Sequence, residues 1–373
     1  MTLDGYRLMI PGPIQLAPEV LAEMSRPIVP HYGADWTRFY NETLSLLQGI
    51  FRTEGDVFPI PGSGSAGLEA GLRLLLGSDR HLLVLANGFF GERVAAIAAS
   101  IGEHTTVERF PMDAPIRKRD LEAALERAPD ATSVAVVHSE SSSGLLNPIR
   151  ELADGCRQRD LLLFVDAVSS LGGIELAMDD WAIDICVSAP QKCLEGPPGL
   201  GLVAVAKRAW ERVSPDAPRS WYLGLDVWKD YAEKWADWHP FPITMAVPVF
   251  RALRVALDRV LEEGLAPRIA RHKASAAFAR GAFSDLGFEP VFGEEEASPT
   301  ILAIRGRADL AADEVVDRLR REHKTLVARG MGEFTGKVFR VGNMGPQATR
   351  EQLQPLLAAV GSFVSEKSGE KAR

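Results

Sequence analysis

Cysteine is scarce: the chain has three in 373 residues, Cys156, Cys186 and Cys193, with no C-x-x-C pair among them. This odd, scattered set excludes a disulfide framework and a cysteine-based zinc cluster, and it points to a reducing compartment. A basic surplus is missing too. The 42 Lys and Arg residues face 50 Asp and Glu, a formal net charge of -8, which disfavours a nucleic-acid-binding surface. No apolar stretch is long enough to span a bilayer, and "MTLDGYRLMIPGP" has neither the basic start nor the long apolar run of a signal peptide. The expectation is a cytoplasmic protein. There is no repeat at a fixed period and no extended low-complexity tract. What is present is an ordinary packing composition, 46% hydrophobic and 25% charged, in a chain suited to one large domain and a smaller one.

Short apolar runs alternate with helix-like segments from about residue 80 to 206. "HLLVLA" (81–86), "SVAVVH" (133–138), "LLLFVD" (161–166), "IDICVSA" (183–189) and "GLVAVA" (201–206) read as strands. Between them, stretches such as "GERVAAIAASIG" and "RKRDLEAALERA" carry a helical pattern. Apolar strands separated by helices predict an α/β fold with a mainly parallel central sheet covered on both faces. Ligands of such sheets bind beyond the carboxyl ends of the strands. A tryptophan-bearing segment (219–241) and a long helical stretch follow. From about 267 the chain then alternates helix and strand, with strands at "PTILAIR" and "GKVFRVG". The expected division is a large domain over 15–250, a connecting helix over 251–259, and a small C-terminal α+β domain from 1–14 with 260–363. The polar stretch 364–373 is expected to be a disordered tail.

The sharpest local question is "SAPQKCLEGPPGLG" (188–201), where Lys192 stands between an apolar strand and a loop of glycine and proline. A lysine normally sits on a solvated face. Asp166 ends the earlier strand "LLLFVD", on the same predicted edge, and a carboxylate buried there needs a cation or hydrogen-bond donors. Two such groups make either a structural ion pair or two parts of one site. Pyridoxal phosphate chemistry needs this combination: an amine to condense with the aldehyde, and an anion to keep the ring nitrogen charged. In "PGSGSAGLEAGLRLLL" (61–76), Ser63, Gly64 and Ser65 precede a strong helical pattern. Exposed N–H groups and hydroxyls at a helix start hold an anion, although the same residues also serve as a plain N-cap. Phe90 in "NGFFGER" lies just past a strand, placed either in the core or against a flat ring. Ser141 in "VVHSESSSGLLNPI" belongs either to a turn or to a site facing a cofactor oxygen. Arg340 interrupts the apolar "KVFRVGNMG". By alternation it points to solvent, or it reaches a buried anion and grips a carboxylate through two bonds.

Taken in order, "PGP" (11–13), "HYGADWTRFY" (31–40), "GSGSAGLEA" (62–70), "NGFFGER", "HSESSSG" (138–144), "VDAVSSLGG" (165–173), "SAPQKCLEGPPGLG" and "FRVGNMG" (339–345) resemble class V pyridoxal-phosphate aminotransferases of fold type I. Within that class they look like the alanine–glyoxylate and serine–pyruvate branch. The resemblance covers nearly the whole chain. It implies an aspartate-aminotransferase-like fold with pyridoxal 5'-phosphate as cofactor. Lys192 would carry the imine link and shuttle protons, and Asp166 would pair with the ring nitrogen. Val168 and Phe90 would cover the two ring faces, with Ser141 near the ring hydroxyl. Ser63, Gly64, Ser65 and Gln191 would hold the phosphate, joined by Thr244 from a second subunit of a homodimer. Arg340 would bind the substrate carboxylate, with Gly12 lining that end. Three positions depart from the expected pattern: Phe90 where tryptophan or tyrosine is frequent, Tyr32 where arginine often follows the histidine, and Glu195 where a small residue is usual.

The implied activity is transfer of an amino group from alanine or serine to glyoxylate or pyruvate. A 2-aminoethylphosphonate–pyruvate transaminase is the alternative, since Arg340 would suit a phosphonate as well as a carboxylate. A lyase or desulfurase of the same fold would need a mobile acceptor cysteine, whereas Cys193 beside Lys192 reads as a small packing residue. A binding protein on a retired enzyme scaffold would have lost the lysine or the aspartate, and both are present.

Overall fold

The computed structural model describes residues 5–102 and 104–371. Seven strands form the central sheet: β1 (Asp56–Pro61), β2 (Leu82–Ala86), β3 (Thr105–Arg109), β4 (Ser133–Val137), β5 (Leu162–Asp166), β6 (Ile185–Ser188) and β7 (Leu200–Val205). Their order across the sheet is β1-β7-β6-β5-β4-β2-β3. Only β7 runs against its neighbours; the pairs from β6 through to β3 are all parallel. β2, β4, β5, β6 and β7 are buried along their whole length, as apolar strands covered on both faces must be. The two edge strands were not among the runs read as strands. β1, "DVFPIP", carries two prolines, tolerated only where no ladder bond is required of their nitrogens. β3, "TTVER", is half-exposed and polar.

Helix α1 (Gly64–Arg73) lies on the sheet at unusually short range. A Cβ at Gly201 of β7 would stand 2.7 Å from the Gly67 nitrogen and 2.8 Å from the Ser63 carbonyl oxygen. One at Gly71 would meet Phe164 and Ile185 at about 3 Å. The absence of side chains at these points sets the height of α1 above the strand ends. Helix α2 (Phe89–Ile101) leaves the end of β2 after a two-residue loop.

Two consecutive helices, α3 (Val247–Glu263) and α4 (Leu265–Asp285), lead from this body to a second one. There β8 (Ile301–Arg305), β9 (Ala328–Arg329) and β10 (Val338–Gly342) form an antiparallel sheet in the order β8-β10-β9. Its core gathers Phe283, Phe339, Val360 and Phe363, together with Met9 from the start of the chain. Arg7–Leu8 pairs with Thr325–Leu326, and the Gly342 N–H donates to the Met9 carbonyl. The N-terminal segment is thereby fixed to the second body just before it enters the cleft. The stretch expected to be a disordered tail is instead helical: α5 runs from Arg350 to Lys371. Glu366 pairs with Arg318 at 2.7 Å and Lys367 with Glu314 at 3.3 Å, so a polar face is held by neighbours that composition does not reveal. Residues 372 and 373 lie outside the described residues. Among the described residues no helix is long and apolar enough to cross a membrane.

Gly201→Ala is expected to lower stability by about 1–3 kcal/mol, because the methyl meets backbone rather than a movable side chain. Gly49→Ala lies on an exposed turn of a helix with nothing within 4 Å, and is expected to raise stability by up to about 1 kcal/mol. Urea unfolding of the two variants checks both signs.

Candidate active site

Asp166 is the last residue of β5, in register with Val137 of β4 and Val187 of β6. Its carboxylate is buried and accepts one backbone N–H, from Val168 at 2.9 Å. Burial pushes its pKa up to about 6, because a charged carboxylate there has given up water for a single donor. Lys192 follows β6 by four residues on the same carboxyl edge. Burial lowers its pKa to about 8. Its Nζ donates to the carbonyl of Pro11. Gly12 has φ +93°, and a Cβ there would lie 2.7 Å from that Nζ. Only glycine lets the chain pass so close to the amine in this conformation.

Both groups line one cavity of about 270 Å³. Ser63, Gly64, Ser65, Phe90, Val168, Gln191 and Gly12 line it as well. Ser63 precedes α1 in an extended conformation and makes no side-chain cap. The Ala66 N–H donates to the Ser63 carbonyl, and the N–H groups of Gly64 and Ser65 are left for another acceptor. Gly64 has Val168 close by: a Cβ would meet it at 3.2 Å.

Arg340 does not point to solvent. It sits in fully buried β10, and its Nε and Nη2 donate to the Arg329 carbonyl at 2.9 and 2.8 Å, while Nη1 donates to the Ser141 carbonyl. Three of five guanidinium protons are thus placed, leaving one on each terminal nitrogen, the pair that a carboxylate takes up. Burial lowers its pKa to about 10. Ser141 is buried and faces Arg340 through its carbonyl; neither residue is among those that line the cavity. Thr244 is exposed and also lies away from its own chain's cavity.

Two further groups were not singled out from the sequence. Glu140 is wholly buried and accepts the backbone N–H groups of Phe90 and Gly91 at 3.0 and 3.1 Å, plus the N–H and hydroxyl of Ser142. Burial raises its pKa against the pull of those donors. It fixes where Phe90 stands. Arg93 lines the cavity with its guanidinium 4.7 Å from the Phe90 ring centre. The signals were a carboxylate in the "HSE" strand end and an arginine one helical turn beyond Phe90.

A flat, anionic aldehyde suits these surroundings. The Oε1 of Gln191 is buried without a hydrogen-bond partner; turned over, that amide presents two donors beside the open start of α1. Phe90 and Val168 supply apolar walls, and at Gly12 and Gly64, the two glycines that line the cavity, a Cβ would crowd Lys192 and Val168.

The family model described as "Aminotransferase class-V" matches residues 27–351. An uncharacterised aminotransferase of Methanocaldococcus jannaschii is 35% identical, over 100% of this chain and 98% of that protein. A 2-aminoethylphosphonate–pyruvate transaminase of Burkholderia thailandensis is 33% identical, over 95% of each. Among solved structures, alanine–glyoxylate aminotransferase from Nostoc sp. superposes with a TM-score of 0.92 at 28% identity, covering 97% of this chain and 96% of that one.

Only a neutral amine attacks an aldehyde, so the pKa of Lys192 sets the pH dependence. The rate at which the unloaded protein takes up pyridoxal phosphate covalently is expected to climb about tenfold per pH unit and to level off above about 8, some two units below an ordinary lysine. Stopped-flow absorbance across pH checks this. A plateau near the ordinary lysine value would contradict the geometry.

Proposed function

The chain belongs to the class-V aminotransferases and works with pyridoxal 5'-phosphate, and from that premise we propose that it moves the amino group of alanine or serine to glyoxylate or pyruvate. The observation that carries this reading is the meeting of a buried carboxylate and a pKa-lowered lysine in one small cavity, with a half-satisfied arginine fork behind it. When bound, the cofactor supplies an aldehyde and an electron-withdrawing ring that let an amino acid release its α-proton.

The protein's own residues do the rest. At neutral pH about a tenth of Lys192 is neutral, against fewer than one in a thousand for an ordinary lysine. Its Nζ is the base that takes the α-proton and later returns it. Asp166 Oδ1 and Oδ2 hold negative charge, which the cavity's own donors barely satisfy, against the ring nitrogen. The open N–H groups of Gly64 and Ser65 at the start of α1, with the side chains of Ser63, Ser65 and Gln191, would hold the phosphate. Phe90, placed by Glu140, and Val168 would cover the faces of the ring and exclude water. The two free protons of Arg340 receive the substrate carboxylate. Ser141 acts through its carbonyl by aiming Arg340, a different part from the ring contact expected of its hydroxyl.

The Nostoc enzyme is named for alanine and glyoxylate, which supports the same choice here. The Burkholderia relative supports 2-aminoethylphosphonate as the second reading. A desulfurase reading finds no support, since Cys193 is wholly buried and burial pushes its thiol to about 12, out of reach as a sulfur acceptor. The active unit is a homodimer in this proposal. Thr244 is exposed and so free to reach a second copy, and Tyr32 and Trp238 are exposed with ring centres 5.4 Å apart, an aromatic surface of the kind that interfaces cover.

Single-turnover spectra of the loaded enzyme with alanine, serine and 2-aminoethylphosphonate test the substrate. Bleaching of the cofactor band by alanine or serine, and not by the phosphonate, is the expected outcome; bleaching by the phosphonate alone would overturn the choice. Arg340→Met should raise KM for the amino donor by about a hundredfold, the loss of a charge-assisted bidentate contact.

A further inference from the structure

Behind Lys192 lies a chain of buried charge that the reaction itself does not call on. Glu195, three residues after the lysine, has φ +61°, a left-handed backbone that a side chain adopts only at a cost. It is also buried, at 2% exposure. A glutamate under both penalties needs strong partners: Arg259 Nε stands 3.6 Å from its Oε2, and Arg268 is closer. Arg268, 1% exposed, donates from Nη2 to Glu195 Oε1 at 2.5 Å and to the Cys193 carbonyl at 2.6 Å. Its Nε donates to the Gly172 carbonyl at 2.9 Å, and its Nη1 to Glu263 Oε2 at 2.6 Å.

The chain continues beyond that pair. Glu263, the last residue of α3, accepts Arg271 from α4 at 2.6 and 2.9 Å. Arg271 Nη1 then reaches the carbonyls of Gly345 and Ala348, just past the strand that bears Arg340. The Glu195 side chain itself packs on Gly345, where a Cβ would lie 2.9 Å from its Cγ. On the other side, the Glu195 N–H donates to the carbonyl of Lys192 at 3.2 Å. Arg268 thus holds the Cys193 carbonyl, and the backbone of Glu195, whose side chain Arg268 anchors, holds that of Lys192. The path runs unbroken from the lysine loop, through the α3–α4 junction where the two bodies join, to the end of β10.

We propose that the Glu195–Arg268 pair is a positioning device that fixes the aim of Lys192 and holds it in register with Arg340 across the junction of the two bodies. This rests on the aminotransferase reading above. Neither residue touches substrate; both act through the lysine loop. A slack loop leaves the amine off its line of attack, and misplacement of a reacting group by about 1 Å is worth up to a hundredfold in rate.

Glu195→Gly is the informative variant, since glycine adopts the left-handed backbone freely and Arg268 keeps Glu263 and two carbonyls as partners. Glu195→Gln retains the shape and removes only the charge. Three quantities are read on each: the thermal midpoint, the rate of covalent pyridoxal phosphate uptake by the unloaded protein, and kcat against KM in the loaded enzyme. For Glu195→Gly the expected result is slower uptake and lower kcat, each by about tenfold or more, with KM nearly unchanged. Glu195→Gln should fall between it and the native protein, because its amide oxygen still accepts from Arg268. Uptake and kcat at native values in both folded variants, with only the thermal midpoint reduced, would overturn the proposal and make the pair a structural tie. If the native protein itself neither takes up the cofactor nor bleaches with any amino donor, the aminotransferase reading is what has failed.

Discussion

A buried aspartate and a half-buried lysine meet at one edge of one sheet, and everything else in the molecule serves that juxtaposition. Burial acts on the two in opposite directions, pushing the carboxylate up to about 6 and the amine down to about 8. Each is thereby poised to change its charge near neutral pH, which an exposed pair would not be. Such burial is costly for a protein that gains nothing from it. That Asp166 has a single backbone donor, and Lys192 a single carbonyl, argues that their remaining capacity belongs to something that enters the cavity.

The fold meets this requirement with close approaches of backbone. Gly201 lets α1 settle on β7, which brings the open start of that helix to the cavity wall. Gly12 lets the N-terminal segment pass against the lysine, carried there by its pairing with the second body. Both bodies therefore shape the site: the central sheet supplies Asp166 and Lys192 to the cavity, and the second body anchors the segment around Gly12 and holds Arg340 behind the cavity wall. Their relative placement is a condition of function, and the buried ions at the α3–α4 junction are where it is set.

Much of this was legible in the sequence, for reasons that also explain what was not. Strands buried on both faces announce themselves as apolar runs, so the inner part of the sheet could be read directly. Edge strands are polar or proline-bearing because one side is unpaired, and β1 and β3 left no such mark. Asp166 and Lys192 stood out because a charge at the end of an apolar run is rare. The inward turn of Arg340 is set by a long-range partner, the Ser141 carbonyl, which alternation along one strand cannot reveal. Glu140 and Arg268 escaped notice for the same reason, since their partners lie 50 and 73 residues away. The helical end of the chain does not show in local polarity, because what holds it is ion pairing of Glu366 with Arg318 and of Lys367 with Glu314.

The central claim is that Lys192, and no other lysine, bonds to the cofactor opposite Asp166. Loading the protein with pyridoxal phosphate, reducing it with borohydride and mapping the label by peptide mass spectrometry tests this directly. The expected result is one label per chain, on Lys192, absent from Lys192→Ala, which should also lose turnover. A label on any other lysine, or a Lys192→Ala protein that still transfers amino groups at the native rate, would contradict it.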